Sequence, residues 1–249
     1  MIVVVSIVRS FVSFHPYLIS SFSFKTHPSE SIDSMQSATR LCLIPGRHVR
    51  HSSTFLFDVH PEVRSALHER RPVVACETAI LTHGLPRPAN IETCARIERI
   101  IRENGSIPAT IGIVKGRIKI GLTSTELEQL GSLDRVFKAS RRDLPYLIAQ
   151  QATAGTTVAA TMLLAHRMGI PIFATGGIGG VHRDSTTTGD ISSDLDELGR
   201  TPVCVISSGV KSILDIPKTL EYLETKGVGG KDHYRSNTMT SRPPFSSFR

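Results

Sequence analysis

Two residues of the sequence have the type and the surroundings that acid–base and nucleophilic chemistry require, Glu77 and Lys211. Glu77 directly follows the apolar run 72–76, which predicts a buried strand, and burial raises the pKa of a carboxyl group toward the range of a useful general acid. Lys211 lies between a glycine turn and a predicted helix start, where partial burial and the helix N-terminus favour the neutral, nucleophilic amine. The same positions also suit a capping carboxylate and a solvated surface lysine.

The segment 175–183, TGGIGGVHR, has the composition of a ligand-binding loop. Four glycines in five positions follow a predicted strand and let the backbone approach a ligand closely, while His182 and Arg183 supply donors to an anion. The spacing differs from the dinucleotide-binding pattern, and no P-loop lysine follows it. The segment therefore predicts a phosphate or sugar loop, and a tight turn is the alternative.

Acidic and hydroxyl side chains alternate in the segment 190–194, where Asp190, Ser192 and Asp194 directly precede a predicted helix. Such oxygens could bind a hard divalent cation and present hydroxyl groups to a phosphate. The alternative is ordinary capping of the helix by Ser or Asp. A basic cluster could likewise bind a phosphate or form a solvated charged face: Lys138, Arg141 and Arg142.

An alternation of strands and helices must position these residues. Apolar runs predict strands at 72–76, 170–175 and 202–207, and two β-branched runs around Lys115-Gly116 predict a hairpin. Apolar periodicity and capping residues predict helices at 60–71, 91–104 with Asn90 as N-cap, 124–131 after a capping box of Thr123 and Glu126, 158–169, 193–199 and 212–227. The order predicts an α/β fold in α/β/α layers, with a mixed, largely parallel central sheet.

The two ends of the chain differ in composition from its middle. Residues 1–57 predict a disordered leader, and the part from Met35 is rich in Arg, Ser and Thr without an acidic residue, as a transit peptide is. Met35 could be the start of translation, and a leader without a targeting role is the alternative. Residues 229–249 lack apolar periodicity and predict a disordered tail.

The charge distribution argues against nucleic-acid binding although the formal net charge is +7. Residues 72–228 carry 17 Lys and Arg against 16 Asp and Glu, so the excess positive charge lies at the two ends. No apolar run reaches the ~18 residues of a membrane span, so no membrane partner is expected. The four cysteines have neither disulfide-framework nor zinc-site spacing.

Seven segments between residues 72 and 228 form an unusual series: CETAILTHGLPRPANIET, PATIGIVKGRIKIGL, KASRRDLP, GTTVAATM, FATGGIGGVHR, DISSDLDEL and SGVKSILDIPKTLEYLETKGV. In the residues of its segments, in their order and in their spacing, this series resembles the pseudouridine-5'-phosphate glycosidase family, also called indigoidine synthase A-like. The resemblance implies that residues 58–228 form such a domain. It also implies the family reaction, a reversible hydrolysis of pseudouridine 5'-phosphate to uracil and ribose 5-phosphate.

Residue by residue, the resemblance implies the catalytic roles. Glu77 matches the proton donor, and Lys211 matches the nucleophile that captures C1′ of the opened ribose as a Schiff base. The chemistry suits this assignment, because a C–C glycosidic bond has no leaving oxygen or nitrogen to protonate, and an iminium at C1′ supplies the missing electron sink. Paired carboxylates of the ordinary glycosidase type would not suffice.

The resemblance also implies the binding roles. Asp190 matches the ligand of a Mn²⁺ ion. The remaining matched residues are those that touch the substrate or line its pocket: Lys138, Val158, His182, Ser192, Ser193 and Asp194.

This chain departs from the family pattern after Val228, where family members continue with further strands and helices. We therefore expect a domain that is incomplete at its C-terminus and, as a hypothesis, unstable or inactive. Two alternatives to the glycosidase remain open: a truncated isoform that only binds phosphosugar or family subunits, and a related Schiff-base lyase. The family further implies a homotrimer, and the leader implies import into mitochondria, or else a cytoplasmic protein.

Overall fold

The structure, a computed structural model, describes residues 2–4 and 56–232. In chain order its strands are β1 (Ile2–Val4), β2 (Phe57–Val59), β3 (Val73–Cys76), β4 (Ile107–Val114), β5 (Arg117–Ile120), β6 (Phe137–Ala139), β7 (Ala154–Thr156), β8 (Ile172–Thr175), β9 (Cys204–Ser207) and β10 (Gly230–Asp232).

The helices are α1 (Pro61–His68), α2 (Ala89–Glu103), α3 (Ser124–Ser132), α4 (Leu144–Ala149), α5 (Val158–Arg167), α6 (Ser185–Thr188), α7 (Ser193–Arg200) and α8 (Ile216–Thr225). A π-helical turn, Ile80–Gly84, and a 3-10 turn, Arg141–Asp143, complete the set within the described ranges. None of these helices is long and apolar enough to cross a membrane.

The strands of the described residues form one mixed sheet in the order β10-β1-β9-β8-β3-β4-β5-β2, with β7 paired to β4 and β6 paired to β7. All neighbours from β10 to β4 are parallel. Strand β4 pairs with three strands along its length: its first half pairs parallel with β3, and its second half pairs antiparallel with β5 and β7. The predicted layered α/β fold with a largely parallel sheet is confirmed.

Apolar residues of the helices pack against this sheet in two clusters. The larger cluster joins α1, α5 and α7 to the central strands around Phe173, which is fully buried. The smaller cluster joins α2, α3 and the π-helical turn through Leu81, Cys94 and Leu130. Helix α5 contributes seven buried residues, mostly small, and lies directly against β8 and β4. The helices therefore fix the ends of β3, β4 and β8 by close packing.

Local sequence signals predicted several elements at the right place. The hairpin joins β4 and β5 through Lys115 and Gly116, both with positive φ (48° and 73°), as a tight hairpin turn requires. Thr123 and Glu126 form the predicted capping box of α3. Asn90 is not the N-cap of α2, because the helix begins at Ala89. Its side-chain amide instead donates to the carbonyl oxygens of Leu81 and Gly131, at 2.8 and 3.0 Å.

The prediction that both ends of the chain are disordered is wrong in part. Ile2–Val4 is a strand between β9 and β10, and Phe57 begins β2. In the tail, Gly230–Asp232 is a strand beside β1. The other leader and tail residues, including Met35, lie outside the described part of the chain. A three-residue strand is too short for periodicity to reveal, and its pairing comes from the open edge of β9.

We predict that deleting residues 1–4 lowers the free energy of unfolding by about 2 kcal/mol, since the paired backbone groups of β9 and β10 lose their partners. Urea unfolding of the full chain and the deleted chain measures the difference. Val3→Pro, which removes one backbone donor from the intact chain, should act in the same direction. Equal unfolding midpoints for all three chains would contradict the pairing of β1.

Candidate active site

The predicted chemical residues lie where β3, β8 and β9 end at one edge of the sheet. The registers pair Cys76 with Ala174 and Thr175 with Ser207, so these strands finish side by side. Glu77 directly follows the last residue of β3, and it lies next to Thr175, the last residue of β8. Because the carboxyl ends of parallel strands gather at one edge, loops distant in sequence meet there. The sheet thus brings the loops after Cys76, Thr175 and Ser207 together.

Glu77 is buried, with 8% of its surface exposed, and the hydroxyl of Thr175 donates a hydrogen bond to its Oε1. Burial raises the pKa of this carboxyl from 4.5 to about 7, against the hydrogen bond of Thr175 and the positive charge of Lys211, which lower it. The negative charge of Asp194 raises the pKa of Glu77, and the positive charge of Lys138 lowers it. Glu77 therefore shares one electrostatic environment with Lys211, Lys138 and Asp194, and it can donate or accept a proton near neutral pH.

A buried threonine network fixes the backbone on the far side of Glu77. The Thr78 hydroxyl donates to the carbonyl oxygen of Ile111 at 2.8 Å and accepts from the backbone N–H of Thr156 at 2.9 Å. Thr156 donates to the same carbonyl at 2.7 Å, and Thr161 donates to Thr156. The residue after the candidate acid is thus tied to β4 and β7, which limits the movement of Glu77.

Lys211 lies on a loop that is hydrogen-bonded along the glycine loop. Its backbone N–H donates to the carbonyl oxygen of Ile178 at 3.1 Å, and the N–H of Ile178 donates to that of Gly209 at 3.0 Å. A Cβ atom at Gly177 would lie 3.3 Å from the carbonyl oxygen of Gly209 and 3.4 Å from Cγ of Lys211, so the lysine stem lies directly beside the glycine loop. The backbone pairing of β8 and β9 therefore continues into both loops.

Two expected features of Lys211 are wrong. The residue is exposed rather than partly buried. The following helix, α8, begins only at Ile216, where Asp215 caps it and Pro217 occupies the first turn, so Lys211 is not at a helix N-terminus. Pro217 suits the first turn of a helix, since its missing N–H is not needed there. Apolar spacing alone extended the predicted helix too far toward the lysine.

Asp194 clasps the glycine loop to α5. Its Oδ2 accepts from the backbone N–H of Gly179 and its Oδ1 from that of Ala159, both at 2.9 Å. The carboxylate is buried, and a Cβ atom at Gly179 would lie 2.7 Å from Oδ2 and still closer to the side chain of Ser192. Both oxygens of this predicted substrate contact therefore have backbone partners, and the residue positions the loop.

The two serines that precede Asp194 have different roles: Ser192 caps a helix, and Ser193 is exposed. Ser192 is the N-cap of α7 and accepts from the N–H of Asp194 at 3.3 Å, as the capping alternative predicted. The exposed Ser193 hydroxyl lies 2.8 Å from that of Ser140. Val158 is the first residue of α5 and is 1% exposed, so its side chain belongs to the core.

The three residues of the basic cluster, Lys138, Arg141 and Arg142, also differ in their contacts. Lys138 lies exposed on β6, and its charge reaches Glu77. Arg141 instead forms an ion pair with Glu197 of α7, at 2.7 and 3.0 Å to the two carboxylate oxygens. Glu197 is buried, so this pair holds the 3-10 turn against α7. Arg142 is exposed. Of the cluster, Lys138 alone is close enough to influence Glu77.

His182 and Asp190 form a pair further along the glycine loop. Nδ1 of His182 lies 3.6 Å from Oδ2 of Asp190, and its backbone N–H donates to the Asp190 carbonyl oxygen at 3.1 Å. The Asp190 side chain is 61% exposed. Within residues 2–4 and 56–232, no group of three or more His, Cys, Asp or Glu could hold a metal. The donors thus fit only an ion that takes most of its ligands from water and substrate, as hard divalent cations do.

A small cavity of about 20 Å³, partly open to solvent, borders Glu77. Its wall combines apolar and polar groups, among them Ile80, Thr110, Ala174, Thr175 and Gly176. A cavity of this size holds about one water molecule beside the carboxyl group. Sequence reasoning missed Thr175 and Thr78, because only the register of β3, β4 and β8 shows that these common hydroxyl residues flank the acid.

We predict that Gly179→Ala destabilises the chain by about 2 kcal/mol, because the added Cβ displaces Ser192 and the Asp194 clasp. Gly176→Ala is the matched control in the same loop, since the nearest atom to its added Cβ, Cδ1 of Ile80, is 3.6 Å away. Urea unfolding compares the two variants. A loss of stability that is equal in both would mean that the clasp does not set the requirement for glycine.

We predict that Glu77→Gln stabilises the folded chain at pH 8.5 by up to about 3 kcal/mol and has little effect below pH 4.5. The pKa of Glu77 is about 7 in the folded chain, so the folded state holds a proton that the unfolded state has lost between pH 4.5 and 7. The free energy of unfolding therefore falls as the pH rises through this window. Urea unfolding at a series of pH values measures the difference in free energy of unfolding between the variant and the unchanged chain. The control is Glu92→Gln, which removes an exposed carboxyl group. A pH-independent effect would contradict the burial of an ionisable Glu77.

Several known proteins are similar to this chain in sequence or in structure. A pseudouridine-5'-phosphate glycosidase of Caldanaerobacter subterraneus is 57% identical over 171 residues, which are 69% of this chain and 56% of the relative. A pseudouridine-5'-phosphate glycosidase of Dinoroseobacter shibae is 53% identical over 189 residues, 76% of this chain and 61% of the relative. The crystal structure of the prealnumycin C-glycosynthase AlnA in complex with ribulose 5-phosphate superposes with a TM-score of 0.64 at 45% identity, covering 69% of this chain and 56% of that one.

The matches extend over a larger share of this chain than of its relatives. The chain spans little more than half the length of the curated relatives it matches. Residues 62–237 match the family described as "Indigoidine synthase A like protein". The chain belongs to the indigoidine synthase A-like family.

Proposed function

We propose that this chain carries the catalytic residues of a pseudouridine-5'-phosphate glycosidase, which hydrolyses the C–C glycosidic bond to give uracil and ribose 5-phosphate. The observation that carries the proposal is the convergence of Lys211 and Glu77 at one sheet edge, where the lysine charge acts on the buried carboxyl. Relatives at 53–57% identity bear this enzyme name, and a related structure binds ribulose 5-phosphate. An amine beside a carboxylic acid suits a phosphorylated sugar with a masked aldehyde carbon.

The proposed reaction uses the amine as the nucleophile. The ribose ring opens as the C1′–O4′ bond breaks and O4′ takes up a proton, and the neutral Nζ of Lys211 forms a bond to C1′ and loses a proton. The bond between C1′ and the base then breaks, the nitrogen lone pair forms the iminium, and the uracil carbon receives a proton from Glu77. Water adds to the iminium and releases ribose 5-phosphate and the free lysine. The exposure of Lys211 leaves its amine accessible to a sugar that enters from solvent.

The substrate phosphate would lie on the side of Lys138. Its exposed amine places a positive charge that acts on Glu77. The hydroxyl of Ser140, two positions after Lys138, lies 2.8 Å from that of Ser193. Asp190 is the residue that would hold a Mn²⁺ ion, with His182 beside it. When bound, such an ion supplies positive charge that orients an anionic substrate. The protein residues position and protonate the sugar and the base.

A second function, sugar-phosphate binding without turnover, has one observation in its favour. The match spans only 56% of the length of the relative from Caldanaerobacter subterraneus, so the glycosidase name of that relative belongs to a longer protein. Both functions need Lys138 and the glycine loop, and only the glycosidase needs the amine of Lys211. Release of uracil separates the two. The homotrimer and the mitochondrial import remain predictions.

Against the hypothesis of an inactive chain stated above, we predict that the full chain, incubated with pseudouridine 5'-phosphate and Mn²⁺, releases uracil, and that Lys211→Ala reduces the rate roughly a thousandfold or more. A folded chain that releases no uracil would support that hypothesis instead. With ribose 5-phosphate and borohydride, the unchanged chain should gain one reduced sugar adduct at Lys211, because borohydride traps an iminium. Chromatography of uracil and peptide mass spectrometry provide the two measurements.

Lys218→Ala is the matched control, because Lys218 lies on the adjoining helix in an ion pair with Asp215 (3.2 Å). It should retain both uracil release and the adduct at Lys211. An adduct without uracil release would favour the binding function. An adduct with other aldehydes but not with ribose 5-phosphate would favour a related Schiff-base lyase. An adduct at Lys218 but not Lys211 would contradict the assignment of the nucleophile.

A further inference from the structure

Thr175 ends β8 directly beside the candidate acid. The register pairs Cys76 with Ala174, so the next positions along β3 and β8 are Glu77 and Thr175, whose side chains lie on one face of the sheet. Residues after β3 and at the end of β8 are thereby held side by side by the parallel ladder. A hydroxyl in this position is fixed by the sheet rather than by a loop.

The hydroxyl of Thr175 is directed to the acid and not to the lysine loop. It donates to Oε1 of Glu77. Its neighbour on the other side is Ser207, whose hydroxyl accepts from the backbone N–H of Gly209 at 3.2 Å and so stabilises its own turn. Among the described residues, the hydrogen bond from Thr175 is the one that Glu77 accepts from another side chain.

We propose that Thr175 is the positioning residue of Glu77: its hydrogen bond to Oε1 orients the carboxyl group and leaves Oε2 as the oxygen that exchanges the proton. The proposal rests on the function proposed above, in which Glu77 supplies the proton. A protonated carboxyl can keep Oε1 as an acceptor for Thr175 while the O–H on Oε2 points to the substrate. The two oxygens thus have separate tasks throughout the reaction.

The hydrogen bond also limits how far burial favours the protonated carboxyl. Burial alone raises the pKa of Glu77, and a donor to the carboxylate lowers it, because the bond is stronger to the anion than to the neutral acid. Without Thr175 the acid would remain protonated to higher pH and would donate less readily. The hydroxyl therefore tunes the acid as well as orienting it.

The test is a titration of Glu77 in the full chain by NMR of ¹³C-labelled glutamate carboxyl groups, with the resonance assigned by its loss in Glu77→Gln. Thr175→Val keeps the shape and removes the donor, and it should raise the midpoint of Glu77 by about one pH unit. Thr175→Ser keeps the donor and should shift the midpoint by clearly less. If the valine variant does not fold, Thr175→Ala replaces it.

Thr110→Val is the matched control in the same cavity. Thr110 is buried and donates to Glu98, not to Glu77, so this variant should leave the Glu77 midpoint unchanged. An unchanged midpoint in Thr175→Val, equal shifts for valine and serine, or an equal shift for Thr110→Val would each overturn the proposal. This readout needs no turnover, so it stands apart from failure of the proposed function. If uracil is released, the alkaline limb of kcat/KM should move upward with the midpoint.

Discussion

The buried carboxylate of Asp194 connects three parts of the chain, the glycine loop, α5 and α7. It accepts from the glycine loop at Gly179 and from the first turn of α5 at Ala159, while its own backbone begins α7. Because the carboxylate is buried, each lost hydrogen bond would leave an uncompensated charge in the interior, which is costly. The clasp fixes the glycine loop, and that loop in turn holds the backbone of Lys211 through Ile178.

The acid depends on a second, opposing balance. Burial favours the neutral carboxyl of Glu77, whereas the hydroxyl of Thr175 and the charges of Lys211 and Lys138 favour the anion. Neither influence alone would give a group that changes its protonation state near neutral pH. The exposed lysines and the buried acid therefore form one electrostatic unit, with positive charge on the solvent-facing side and a group that can exchange a proton on the inner side.

Sequence patterns were most reliable where the decisive contacts are local. The hairpin at Lys115-Gly116 and the capping box of α3 depend on residues three or fewer positions apart, and both are present. The prediction was wrong where a distant partner decides. Asn90 bonds to Leu81 and Gly131 instead of capping α2. The helix start near Lys211 was wrong for a local reason, because the N-cap Asp215 and the first-turn Pro217 mark the start of α8 and the apolar period was given more weight than these signals.

The sequence by itself determined the α/β class, the glycine loop, and the two residue types, acid and amine, on which the chemistry depends. It could do so because strand alternation, glycine spacing and strand-end carboxylates are local properties of the chain. Only the tertiary structure decided that Thr175 lies beside Glu77, that Asp194 clasps the loop, and that Arg141 pairs with a buried Glu197. These contacts join residues 15 to 98 positions apart, and such pairings follow from the register and packing of the sheet, which no local pattern encodes.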